Sequence, residues 1–278
     1  MSKLVMLDVY SGRPNPVWEI DEGDARGFVA EGSSALSDAE GPSLGYRGFK
    51  ILDAAGGVQE MAGLSEGNSA SYAVESHILG NHDAERALLE AGTRSGAIDQ
   101  TLAGFVAGEI GNVQAQGALV EGIGVTCPPC GGGAAPGYDP GYWNNDATRL
   151  RNNNCYNYAN NLATNTFAQP GRATGAMAAT MSCADVRPCA ERDGLIRVPT
   201  YQASQAGIWY VALVIWPGQD YHWYRQDNNG CWSHKPGQTE ARNVDNGGNR
   251  IADPATCNRG PYSDFCCYMT TRPNANIR

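Results

Sequence analysis

Gly207-Ile208-Trp209-Tyr210-Val211-Ala212-Leu213-Val214-Ile215-Trp216-Pro217-Gly218-Gln219-Asp220-Tyr221-His222-Trp223-Tyr224-Arg225-Gln226-Asp227-Asn228-Asn229-Gly230-Cys231-Trp232-Ser233-His234-Lys235 is the stretch that decides the fold. Its first ten residues are almost wholly apolar and rich in β-branched and aromatic types, which predicts a central strand buried on both faces. Pro217-Gly218 turns the chain, Asp220 to Gln226 forms a second strand, and Asp227-Asn228-Asn229-Gly230 is a hairpin turn. Cys231 to Lys235 makes a third strand, ended by Pro236-Gly237. A three-stranded antiparallel meander is expected, carrying His222 on its middle strand and His234 on the next. A hairpin centred on Asn228-Asn229 places His222 opposite Lys235. A slip of one residue, or a bulge at Gly230, places it opposite His234.

Upstream of this sheet, Arg149 to Thr164 begins with Asn152-Asn153-Asn154, any of which can cap a helix, and Cys155, Tyr158, Ala159 and Leu162 follow at helical spacing. The thiol of Cys155 is thus expected at the positive end of a helix, where unpaired amides stabilise a thiolate. A nucleophilic cysteine needs its pKa lowered from about 8.5, an imidazole to take its proton, and a polar group to fix the imidazole's tautomer. Cys155, His222 and His234 supply these three parts. Asp245 or Asn246 is an alternative third member. The backbone amide of Cys155, with Asn153 or Asn157, is a candidate oxyanion site, and Tyr156 a candidate pocket wall.

The order Cys155 in Asn-Asn-Cys-Tyr-Asn-Tyr-Ala, His222 in Asp-Tyr-His-Trp-Tyr-Arg and His234 in Trp-Ser-His-Lys-Pro-Gly resembles the NlpC-like cysteine peptidases and amidases of the papain type, over residues 145–240. Asn154 stands where those enzymes commonly have Asp, and Tyr156-Asn157 where they have small residues. The resemblance implies a cysteine hydrolase that forms a thioester on Cys155 with His222 as general base. It implies a peptide, protein or peptidoglycan-like substrate and needs no cofactor or metal. The same words also look like a secreted group that includes shell-matrix proteins of molluscs. A non-catalytic secreted protein, either structural or carbohydrate-binding through exposed Tyr and Trp, is therefore the rival expectation.

The first half has a different character. Residues 1–126 hold 7 Lys and Arg against 18 Asp and Glu, a balance of −11, whereas residues 127–278 hold 13 against 11. Neither half carries a basic stripe, which argues against nucleic acid as a partner. No run approaches the roughly 18 apolar residues of a membrane span. Leu4 to Tyr10, Tyr46 to Leu52 and Ser71 to Leu79 are expected strands. Ser11-Gly12-Arg13-Pro14-Asn15-Pro16 is a rigid turn, and Asp24 to Ala30, Asp83 to Ala91 and Ile98 to Ile110 are expected helices. His77 and His82 are read as structural. Residues 122–141, dense in Gly and Pro, mark a boundary. The expected fold is α+β: an acidic α+β domain at 1–126, then a papain-like domain at 127–278 in which a cysteine-bearing helix packs on an antiparallel sheet. The first domain is expected to inhibit or deliver the second.

All nine cysteines lie at or after Cys127. Cys127-Pro-Pro-Cys130 lacks the second close pair a zinc site needs, so disulfides in an oxidising compartment fit better. Secretion is expected, although Met1 to Tyr10 does not read as a signal peptide. Nine is odd, and Cys155 is the natural one left free, with Cys183–Cys189 and Cys257 to Cys266 or Cys267 as expected local bridges. Eight cysteines allow about 105 pairings, so connectivity stays open.

Overall fold

The computed structural model describes residues 2–31, 42–53, 57–112, 125–128, 134–199 and 207–278. It is mixed α and β, built around two antiparallel sheets. The first comes from β1 (Ser2–Leu7), β2 (Val17–Asp21), β3 (Phe49–Asp53) and β4 (Ala73–Ile78), in the order β2-β1-β3-β4. Around it lie α1 (Glu22–Glu31), α2 (Gly57–Glu66), α3 (His82–Arg94) and α4 (Gln100–Glu109). The caps of α3 and α4 are Asn81 and Asp99, whose side chains accept from Ala84 N and Leu102 N. The helix expected over Asp83 to Ala91 begins at His82, because Asn81, two residues before Asp83, makes the capping bond.

The second half contributes α5 (Pro140–Asn144), α6 (Ala147–Asn152), α7 (Cys155–Ala159), α8 (Cys183–Arg192), β5 (Ile196–Val198), β6 (Trp209–Trp216), β7 (Asp220–Gln226), β8 (Trp232–His234) and β9 (Asp264–Thr271), with sheet order β5-β9-β6-β7-β8. The meander β6-β7-β8 forms as expected. β9, which the sequence reading passed over, inserts beside β6 and makes it interior, so the apolar run 209–216 is covered on both faces. Trp209, Val211, Leu213 and Ile215 pack with Cys155, Tyr221 and Trp223. Tyr210, Ala212 and Val214 pack with Tyr224, Trp232 and Tyr262 on the other face.

The expected helix Arg149–Thr164 is two short helices. Asn153 and Asn154 are extended, and the three Asn side chains bond to backbone instead of continuing the helix. The hydrophobic clusters do not divide at residue 127: Phe167 packs with Leu4, Met6 and Leu52, Leu44 with Tyr210 and Trp232, and Trp216 against the cluster of Val5 and Phe49. The carbonyl of Gly12 accepts from Asn154 Nδ2 and Gln169 Nε2 at 2.8 Å and from Tyr221 OH at 3.2 Å. A Cβ at Gly12 would lie 2.4 Å from the Tyr221 ring, so only glycine fits there.

The bridges are long-range: Cys127–Cys231 and Cys183–Cys266. The expected local pairs do not form. Cys189, Cys257 and Cys267 are free together with Cys155, so an odd count singles out no cysteine. Cys130 lies outside the described residues. Among the described residues no helix is long and apolar enough to cross a membrane.

Candidate functional site

Cys155 opens α7 behind the cap expected for it. Asn154 Oδ1 accepts from the amides of Tyr156 and Asn157 at 3.0 and 3.1 Å, and Asn157 Oδ1 returns the bond to Asn154 N at 3.2 Å. His222 and His234 also meet: His222 Nε2 lies 2.9 Å from His234 Nδ1. The register differs from both expectations, however. Tyr224 pairs with His234, so His222 reaches it diagonally from two residues away on the same face.

That face is the wrong one for catalysis. Side chains alternate along β7, and α7 packs on the face of Tyr221 and Trp223, which share a cluster with Cys155. His222 points to the opposite face, its ring 4.7 Å from Tyr224 and 5.7 Å from Tyr262. The sheet therefore separates the thiol from the imidazole. All three side chains are also sealed, with Cys155, His222 and His234 each 0% exposed. A cleft of about 650 Å³ lined by Arg13, Gln169, Met177, Met181 and Tyr221 includes none of them.

The electrostatics run against activation as well. Burial pushes the Cys155 thiol well above its usual value, and the nearby Asp220 carboxylate adds to the rise. Burial, and then the His234 neighbour, push His222 well below 6.5. Burial brings His234 down to about 3. A thiolate–imidazolium pair requires the reverse of both.

The accessory residues are spent on structure. Asn153 Nδ2 donates to Arg149 O at 2.8 Å and Asn165 Oδ1 at 2.7 Å. Asn157 Nδ2 donates to Leu162 O at 2.9 Å and Thr164 Oγ1 at 2.8 Å. Neither amide is turned to a developing oxyanion. Tyr156 is buried and its hydroxyl donates to Asp193 Oδ2 at 2.9 Å, so it walls no pocket. Asp245 accepts from the amides of Gly247, Asn249 and Asn258, and Asn246 bonds both backbone groups of Leu44 at 2.7 Å, so neither orients His222.

The sequence reading missed the group that does tie this region together. Asp220, fully buried, accepts from the amides of Ser11, Gly12 and Arg13 at 2.6, 3.1 and 3.0 Å and from Tyr262 OH at 2.6 Å. Lys235, also buried, donates to the carbonyls of Leu150, Asn153 and Gly237 at 2.6, 2.6 and 2.7 Å, which fixes the approach to α7. The nearest sequence signals were the rigid turn 11–16 and the charges flanking the two histidines. Among the described residues no cluster of His, Cys, Asp and Glu is placed to hold a metal ion, and Cys127 is taken by its bridge.

The arrangement is thus a closed structural core braced by disulfides. No family model matches the chain, and no solved structure matches it. Among curated proteins it is 51% identical over 140 residues to insoluble matrix shell protein 1 of Ruditapes philippinarum, which spans 50% of this chain and 93% of that protein. The chain belongs to the family of that shell matrix protein. This finding overturns the expectation of a cysteine peptidase or amidase, together with the thiol-protease, amidase and hydrolase descriptions that rested on it. An inhibitory or delivery role for residues 1–126 loses its object with it.

Proposed function

We propose that this protein is a secreted, non-catalytic structural component of an insoluble extracellular matrix. The observation that carries the reading is the 51% identity to a shell matrix protein over nearly all of that protein's length. Disulfides between distant segments suit an oxidising, extracellular setting. Burial of Cys155, His222 and His234 on opposite sides of a sheet supports a role that uses them as packing. Its partners are other matrix components rather than a peptide, protein or peptidoglycan substrate.

Within the non-catalytic readings, the structural one is favoured over carbohydrate binding. Stacking on sugars needs open aromatic faces, and among the described residues Tyr142 is the exposed large aromatic side chain, at 47%. Its ring carries the Arg149 guanidinium 3.8 Å above it.

Sequential extraction of the secreted material, first with acid or chelator and then with denaturant and reductant, tests the proposal. The protein is expected in the residue that resists the first step. Recovery from the cytosolic fraction, or Cys155-dependent hydrolysis of peptide or peptidoglycan substrates, would overturn it.

A further inference from the structure

The cleft of about 650 Å³ draws its lining from both halves of the chain and includes neither Cys155 nor the two histidines of the sheet. Its volume falls within the roughly 300–1,000 Å³ of ligand sites. Pro14, Pro170, Met181 and Val186 give it an apolar lining. Gln169 and Tyr221 also border it, but their polar atoms are spent on each other at 2.9 Å and on the carbonyl of Gly12. These two side chains offer a ligand packing and no free hydrogen bond.

Free hydrogen bonds come instead from backbone. Met177, Ala178 and Ala179 line the cleft, and among the described residues their N–H and C=O groups have no partner. The segment is nonetheless pinned at both ends. Ala176 N donates to Gly171 O at 3.1 Å, and Ala176 O accepts from Arg192 Nη2. Thr180 N donates to Asp185 Oδ2 at 3.0 Å, and Met181 O accepts from Gly218 N at 3.0 Å. Three successive residues are thus held in place with donors and acceptors open to pairing.

Two opposite charges line the same cleft without pairing to each other. Arg13 is anchored. Its amide donates to Asp220 Oδ1 at 3.0 Å, Nη1 donates to Gln219 O at 2.6 Å, and the guanidinium carbon lies 5.1 Å from the centre of the Tyr10 ring. Its Nε and Nη2 have no partner among the described residues. Asp99 caps α4 through Oδ1, which accepts from Leu102 N at 2.8 Å, and among the described residues Oδ2 has no partner.

We propose that this cleft docks an extended segment of another matrix polypeptide, in which small apolar residues lie along Met177–Ala179 between an acidic side chain held by Arg13 and a basic one held by Asp99. Alternating donors and acceptors on successive residues match another backbone, as in strand addition. The short side chains of Ala178 and Ala179 let that backbone approach. The separate cation and anion match a segment that carries both charges. A lone anion would use Arg13 only, and a lipid chain would use neither charge. The inference rests on the reading of this protein as a matrix component for the source of the segment, and deepens it by giving the chemistry of the partner.

The test is an NMR titration of the isotope-labelled full-length protein, disulfides intact, with two blocked peptides. One is acetyl-Glu-Ala-Val-Ala-Val-Lys-amide and the other the charge-reversed acetyl-Lys-Ala-Val-Ala-Val-Glu-amide. The expected result is saturable shifts of the Met177, Ala178 and Ala179 amides, with one charge order bound about tenfold tighter than the other. Asp99→Asn keeps the helix cap and should weaken the favoured peptide about tenfold. Arg13→Gln should act in the same direction, and Asp99→Asn decides even where Arg13→Gln fails to fold. The favoured peptide with a methylated backbone should not bind. No saturable shift with either peptide, shifts away from the cleft, equal binding of the two orders, no effect of Asp99→Asn, or full binding of the methylated peptide would each overturn the inference. A protein that stays in the insoluble residue on extraction yet fails this titration keeps its matrix role and loses only the docking site.

Discussion

His222 donates its Nε2 proton to Nδ1 of His234 across 2.9 Å, and the tautomer is forced. His234 Nε2 faces the carbonyl of Val244 at 3.0 Å, and a carbonyl only accepts. His234 must therefore donate from Nε2 and accept at Nδ1, which leaves His222 Nδ1 buried without a hydrogen-bond partner among the described residues. Both rings are held neutral. Because the folded value of His234 is lowered to about 3 from 6.5, the unfolded chain takes up a proton as pH falls past 6.5 and the folded chain does not. Stability is full above 6.5 and declines between 6.5 and about 3, by up to about 1.4 kcal/mol per pH unit for each such histidine. Urea midpoints at pH 7 and pH 5 check this; equal midpoints would contradict it, and His234→Gln should flatten the slope.

Cys155 should be chemically silent in the folded protein. Thiolate is the reactive form, and burial suppresses it at this position. Mild alkylation followed by peptide mapping is expected to mark the partly exposed Cys257 before Cys155. Label should reach Cys155 only once the chain is unfolded.

Asp220→Asn should loosen the join between the turn 11–13 and β7. The amide can still accept on its oxygen, but its NH2 group then faces donors where a carboxylate oxygen had been accepting. Hydrogen bonds to a charged group contribute about 1.5–3 kcal/mol each, and partial loss of the set should cost about 3 kcal/mol. Tyr262→Phe removes one donor to the carboxylate and should cost about 1.5 kcal/mol. Denaturant melts of the two variants, compared with wild type, give the ordering; a smaller loss for Asp220→Asn than for Tyr262→Phe would refute the account.

Replacing Cys127 and Cys231 by Ser together should destabilise the protein by about 2–4 kcal/mol, because the bridge closes a sequence separation of 104 residues. The unfolding free energies of the oxidised wild type and the double variant measure it. No change would mean that the bridge constrains little.

Much of the local structure was legible. The apolar run 209–216, the hairpin at Asp227–Gly230 and the cap at Asn154 were read from composition and turn chemistry and are present. The helix expected over 149–164 was interrupted because its Asn side chains found tertiary backbone partners such as Ala70 and Gly12, which lie far away in the chain. β9 was missed because its two cysteines and polar residues gave no strand pattern until β6 lay beside it. The bridges were misread because Cα proximity, not sequence proximity, decides which thiols meet.

By itself the sequence determined the strands 209–216 and 220–226 with the hairpin turn after them, that His222 and His234 sit on neighbouring strands, and that Cys155 starts a helix. Those properties depend on side-chain period and on bonds within a few residues. Only the tertiary structure decided what the three residues are for. Side chains on one strand alternate between faces, so the face that α7 covers determines whether a thiol meets an imidazole. Here α7 covers the face of Trp223 and leaves His222 to Tyr224 and Tyr262 on the other side, and the three residues that resembled a catalytic site are parts of two separate cores.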